Sequence, residues 1–126
     1  MANELILLIE DNVVNRTLIR DVLNFKGYQT LEAASAEEGI KLAIEKKPAL
    51  VLMDFQLPGM NGIDALKALR AEPATAAIPV VAITASVMQQ DRQEIMRAGF
   101  NGFIEKPINL RVFFDTVQRA LKGGKA

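Results

Sequence analysis

The chain has 126 residues, half of them hydrophobic and 24% charged, which suits one ordinary globular domain and is too short for a (β/α)8 barrel. Lys plus Arg and Asp plus Glu number 15 each, a zero balance that argues against a dominant nucleic-acid or membrane footprint, so no DNA contact is expected. With no His, a histidine nucleophile, a His-based triad, the common zinc ligands and a phosphohistidine on this chain are excluded; with no Cys, so are disulfides and thiolate chemistry.

The start, Met1-Ala2-Asn3-Glu4, offers no basic segment, and Leu5–Ile9 is too short for a signal core, so a cytoplasmic protein is expected. No apolar run approaches the roughly 18 residues of a membrane span. Leu5–Ile9 reads instead as a buried strand, ending at Glu10-Asp11-Asn12. Adjacent acids at a strand end repel unless solvated or bridged by a cation; Asp11 or Asn12 capping the next helix is the plainer alternative. That helix, Val14–Lys26, carries an apolar stripe of Val14, Leu18, Val22 and Phe25 with Ile19 alongside, and Gly27 stops it. Tyr28–Ala33 is a more polar strand, expected at a sheet edge.

Ser35-Ala36-Glu37-Glu38 is a capping box opening a helix to Lys47, with Ile40, Ala43 and Ile44 inward and Pro48 ending it. Ala49–Met53 is an apolar strand that runs into Asp54, followed by turn signals at Pro58, Gly59, Asn61 and Gly62. Ile63, Leu66 and Leu69 mark a third helix, closed before Pro73. Pro79–Ile83 is a fourth strand ending at Thr84-Ala85-Ser86. The fourth helix, Met88–Ala98, has a thin apolar stripe around Ile95 and Met96 and is a candidate for movement. Gly99 ends it. Gly102–Glu105 is a short fifth strand, followed by Lys106-Pro107, and Asn109 caps a last helix with Leu110, Phe113, Phe114, Val117 and Leu121 as its core face.

Five strands alternating with five helices, the central strands unbroken apolar runs, predict an α/β fold, a parallel sheet covered on both faces, as one domain over residues 1–126 with no output domain. In such sheets the carboxyl edge binds ligands. Glu10, Asp11, Asp54, Thr84 and Lys106 all fall at strand carboxyl ends. Taken singly, Asp54 reads equally as a helix cap, Thr84 as a cap and Lys106 as a surface lysine. Together, the carboxylates suit a hard cation such as Mg²⁺, with a phosphate as the partner for Lys and Thr. An aspartyl-phosphate is established carboxylate chemistry.

These residues carry a resemblance. The chain resembles the receiver domain of two-component response regulators over essentially its full length, through Glu10-Asp11, the Met53–Gly62 stretch MDFQLPGMNG, Thr84-Ala85 and Lys106-Pro107 in the family's order and spacing. Glu10–Asn15 and Gln56 are similar to stand-alone DivK-like receivers and to receivers of hybrid kinases. The resemblance implies a flavodoxin-like doubly wound (βα)5 fold with strand order 2-1-3-4-5. It implies Asp54 as phosphoacceptor from a histidine kinase or histidine phosphotransfer protein, and a Mg²⁺ cofactor on Asp11, Asp54 and the Gln56 backbone carbonyl, with Glu10 acting through water. It further implies that Lys106 pairs with phosphate, that Thr84 and Phe103 switch, and that Lys106-Pro107 is cis. A downstream protein target would then read the surface of the fourth helix, fifth strand and fifth helix.

The chain departs from the pattern at Asn61, where the family often has Asp, and at Phe103, which lacks the hydroxyl of the frequent Tyr. A phosphatase using an aspartyl-phosphate is disfavoured, because Gln56 stands where an acid/base Asp would be, and an amide does not transfer protons usefully. The expectation is therefore a signalling switch and not an enzyme. Met1 and the short Gly-Gly tail favour a stand-alone protein over a piece of a longer kinase or regulator.

Overall fold

Apolar residues alternate between the two faces of a parallel sheet whose strands are β1 (Leu5–Ile9), β2 (Gln29–Ala33), β3 (Leu50–Asp54), β4 (Val80–Thr84) and β5 (Gly102–Glu105). Their order is β2-β1-β3-β4-β5, as the resemblance implied, with the polar β2 at an edge. The computed structural model describes residues 4–122 except 56, 58 and 86–88, and only the backbone of 89–92. The expectations at Gln56, Pro58, Ser86, Met88 and the 123–126 tail lie outside the described residues.

The period-2 side-chain alternation of a strand divides the core in two. Ile6, Leu8, Leu52, Val81 and Ile83 face α1 (Val13–Phe25) and α5 (Leu110–Leu121). Leu7, Ile9, Val51, Met53 and Ala82 face α2 (Ala36–Lys46), α3 (Gly62–Ala71) and α4 (Gln89–Ala98).

Side-chain caps open the helices. Asn12 Oδ1 accepts from Asn15 N–H at 3.0 Å, Ser35 Oγ from Glu38 N–H at 3.2 Å, Asn61 Oδ1 from Asp64 N–H at 2.9 Å and Asn109 Oδ1 from Val112 N–H at 3.2 Å. Glu38 completes its box one residue early, accepting from Ala34 N–H at 2.9 Å. Asn61 thus works as a cap, a task that Asp performs equally well. At the other end of α1, Gly27 takes φ +92° and its N–H donates to Asn24 O at 3.0 Å, closing the helix where expected.

Three expected core faces are corrected. On α1 the buried residues are Ile19 and Leu23, while Val14, Leu18 and Phe25 are 72%, 56% and 85% exposed. The inward row is Ile19, expected beside the stripe, with Leu23, and Val22 of the expected stripe packs half-buried against the same core. On α2, Ala36, Gly39 and Ala43 are buried and Ile44 is exposed. On α5 Phe113, Phe114, Val117 and Leu121 lie on the core as expected, joined by Thr116 and Ala120, and the correction is confined to Leu110, which lies outside. The sheet receives the rows aimed at it, and of the expected faces it leaves outside Val14, Leu18 and Phe25 on α1, Ile44 on α2 and Leu110 on α5.

Gly39 sets how closely α2 approaches the sheet. A Cβ there would lie 2.6 Å from Ile9 Cγ1 and nearer still to Cδ1, and Ile9 is fully buried. Gly39→Ala is therefore expected to lower the urea midpoint by about 1–3 kcal/mol of overpacking, despite about 1 kcal/mol of gained helix propensity. An unchanged midpoint would show that Ile9 yields freely.

Candidate functional site

The carboxyl ends of the strands are tied one residue beyond the sheet. Glu10 N–H donates to Ala33 O at 3.0 Å, Phe55 N–H to Ile83 O at 2.8 Å and Lys106 N–H to Thr84 O at 2.8 Å. These bonds extend the alternation past the strands. Glu10, Asp54 and Lys106 thereby share the parity of the residues facing α1 and α5.

The side chains meet accordingly. Lys106 Nζ lies 3.2 Å from Glu10 Oε1 and 3.2 Å from Asp54 Oδ2, bridging two acids that the sequence separates by 96 and 52 positions. Asp11 joins from the rim: one oxygen each of Glu10, Asp11 and Asp54 lie within 4.8 Å of one another. Glu10 and Asp54 are buried and Asp11 is exposed. An oxygen-only cluster of this size fits a hard divalent cation, which takes one or two carboxylates and keeps waters.

Burial pushes the Glu10 carboxyl up to about 7, helped by the hydrogen bond and charge of Asp54; the Asn12 N–H and Lys106 oppose this without cancelling it. Burial also works against the charge on Lys106, but Asp54 and Glu10 outweigh it and hold the ammonium above the usual lysine value. The crevice therefore favours a charged lysine and makes the buried glutamate easier to protonate than an ordinary carboxylate. The Glu10 Oε2 atom accepts from Asn12 N–H at 3.2 Å, so the alternative in which Asn12 caps α1 holds alongside the acidic pair.

Thr84 ends β4 and is buried; Phe103 is half-buried on β5, paired with Ala82 and packed on the core that α2, α3 and α4 cover. Since Thr84 and Ala82 are two residues apart, Thr84 and Phe103 face the same side of the sheet. The Lys106-Pro107 bond is cis. The sequence reading passed over Arg16, whose Nη1 donates to the Glu10 carbonyl at 2.9 Å and whose Nε pairs with Glu32 at 3.4 Å. An arginine one turn into a helix reads as a surface charge until the loop before it is seen to fold back against it.

Comparison with known proteins agrees with this geometry. The response regulator receiver domain family matches residues 6–118. The chain is 37% identical over 116 residues to the polar-differentiation response regulator DivK of Brucella ovis, covering 92% of this chain and 94% of that one. Among solved structures it is similar to the receiver domain of the sensor histidine kinase PA1611 of Pseudomonas aeruginosa, with 32% identity, a TM-score of 0.88 and coverage of 96% and 99%. That structure has a magnesium ion coordinated in the active site cleft. The chemotaxis response regulator CheY4 of Vibrio cholerae shares the fold, with 24% identity, a TM-score of 0.87 and coverage of 94% and 99%. An acidic cluster at the carboxyl edge of a β2-β1-β3-β4-β5 sheet, bridged by a lysine and matched by the family over most of its length, makes this chain a member of the response regulator receiver family of two-component signalling.

Proposed function

We propose that the protein is a phosphorylation-driven switch that takes a phosphoryl group from a phosphohistidine donor onto Asp54. The observation that carries this is the placement of Lys106 Nζ at 3.2 Å from Asp54, on a crevice that also holds Glu10 and Asp11. An Asp54 oxygen attacks phosphorus in line, the new P–O bond forms as the P–N bond breaks, and the electron pair leaves with the donor imidazole, which takes up a proton. Lys106 meets the charge gathering on the phosphoryl oxygens. Asp11, Asp54 and the Gln56 carbonyl are assigned as direct holders of Mg²⁺, with Glu10 acting through water. When bound, Mg²⁺ supplies positive charge that offsets the nearly two negative charges added beside three acids.

The donor side is supported by an apolar groove beside α1, where Leu18 is exposed. Leu18 and Ile19 form one wall of this groove, and Lys106, Pro107 and Ile108 form the other. The groove continues along Val22 and Leu110. A helix carrying the phosphohistidine would lay an apolar face here, beside Lys106. The output surface is assigned to α4, β5 and α5, where a downstream protein would bind. The protein acts as one receiver domain, and its self-phosphorylation and slow self-dephosphorylation are not turnover of a substrate.

The test is direct. Incubation with a small phosphoramidate and Mg²⁺ should add the mass of one phosphoryl group per chain, lost again in chelator-treated controls that never received Mg²⁺. No mass gain under any Mg²⁺ concentration would overturn the assignment.

Thr84 is assigned to the switch. Thr84→Ala should still accept the phosphoryl group, because this hydroxyl is neither nucleophile nor metal holder. It should fail to pass the signal on, losing a charge-assisted hydrogen bond of about 1.5–3 kcal/mol, a shift of roughly 10- to 150-fold in a two-state equilibrium. Amide spectra with a phosphoryl mimic bound should show changes reaching α4 and Phe103 in the unmodified protein and staying near Asp54 and Asp11 in the variant. Full-size changes at α4 in the variant would rule out this coupling.

A further inference from the structure

We infer that Arg16 is a positioning residue for the metal site: it holds the Glu10–Asp11 peptide in the orientation that sends the Asp11 carboxylate into the crevice. The inference rests on the proposed metal role of Asp11.

Asp11 is the exposed member of the acidic cluster. Among the described residues no hydrogen bond or ion pair holds its side chain, so its direction is set by its backbone. Its neighbours are held firmly. Glu10 is buried with Lys106 at 3.2 Å, and Asn12 is committed to capping α1. Between them, the freedom left is rotation of the planar Glu10–Asp11 peptide, whose carbonyl and N–H point in opposite directions. Arg16 removes that freedom. Its Nη1 donates to the Glu10 carbonyl at 2.9 Å, while its own N–H donates to the Asn12 carbonyl at 2.9 Å. Arg16 is anchored in turn: Nε pairs with Glu32 Oε1 at 3.4 Å, and Glu32 Oε2 is held by Arg20 at 3.5 Å. Glu32 lies on β2, opposite Leu8 of β1. The loop is thus tied to the sheet edge through a planar, forked group that reaches two acceptors at once.

The charge of Arg16 and its geometry predict opposite outcomes. A cation beside a Mg²⁺ site repels the ion, so if charge were the whole effect, Arg16→Met would tighten binding. If Arg16 positions Asp11, its removal weakens binding. Partners that orient metal-holding groups commonly contribute 10- to 100-fold in metal affinity.

The experiment titrates Mg²⁺ into the full chain by calorimetry, at fixed ionic strength, for the unmodified protein, Arg16→Met and Arg16→Lys. Each variant is first checked for cooperative unfolding in chelator. Arg16→Met is expected to bind Mg²⁺ at least about tenfold more weakly. Arg16→Lys should recover part of this loss, because an ammonium reaches the carbonyl without spanning both acceptors. Because Arg16→Lys keeps the charge, binding weaker than in the unmodified protein reports the lost geometry, and this variant keeps the test open should Arg16→Met not fold. Equal or tighter binding in the folded Arg16 variants, with the unmodified protein binding normally, would overturn the inference alone. Absence of Mg²⁺ binding in the unmodified protein would overturn both this inference and the metal role on which it rests.

Discussion

Asp54→Asn is expected to take up no phosphoryl group from a phosphoramidate or a phosphohistidine donor, a complete loss read as an unchanged intact mass. The crevice holds three carboxyls, and the structure distinguishes them. Glu10 is fully buried and its carboxyl is held above the usual range, so it lacks the access of a nucleophile and is the poorer anion. Asp11 is accessible but sits at the exposed rim, and no described cation lies against it. Asp54 has both a solvent-reachable edge, at 7% exposure, and an ammonium at 3.2 Å ready to receive phosphoryl oxygens. An amide keeps the shape of the carboxylate and removes the nucleophilic charge, so the variant should fold normally. Undiminished labelling of Asp54→Asn would transfer the acceptor role to another group.

Asp11→Asn is expected to weaken Mg²⁺ binding by more than the 10- to 100-fold typical of an indirect partner, because a directly assigned carboxylate is lost. Glu10→Gln should weaken it less, since that carboxyl is assigned to act through water. The reverse order would exchange the direct and water-mediated assignments. Affinity should also depend on pH. The folded Glu10 carboxyl is raised from 4.5 to about 7. Below about pH 7 its proton competes with the ion, so binding should weaken as the pH falls and level off above that value. A flat profile between pH 5.5 and 8 would show that Glu10 does not take part. In chelator, Asp11→Asn should raise the melting temperature, because removing one of three clustered charges relieves repulsion that the metal otherwise offsets. Equal melting temperatures in chelator would count against a close cluster.

The sequence by itself determined the number, type and order of the elements and every described polar residue at the sheet edge. Unbroken apolar runs as short as Leu5–Ile9 and Val80–Ile83, bounded by polar and turn residues, mark strands buried on both faces, and the capping residues Ser35 and Asn109 mark helix starts through hydrogen bonds between near neighbours. Such signals are local, so one chain suffices to read them. The inward faces of the helices were decided by tertiary structure alone. In α1, Leu18 and Ile19, and again Val22 and Leu23, are apolar in adjacent rows, so periodicity admits both rows and docking on the sheet selects Ile19 and Leu23. In α5, Leu110 lies one turn before Phe113 on the same face, and only the fold shows that this first turn lies outside the core. Strand order likewise came from the resemblance and then from the hydrogen-bonded ladder, not from the pattern of the chain. Within the site, tertiary structure decided that Lys106 bridges Glu10 and Asp54, that Glu10 is easier to protonate than an ordinary carboxylate, and that Arg16 grips the Glu10 carbonyl. Each of these depends on distances across the fold and on the exclusion of water, which exist only once the strands have assembled side by side.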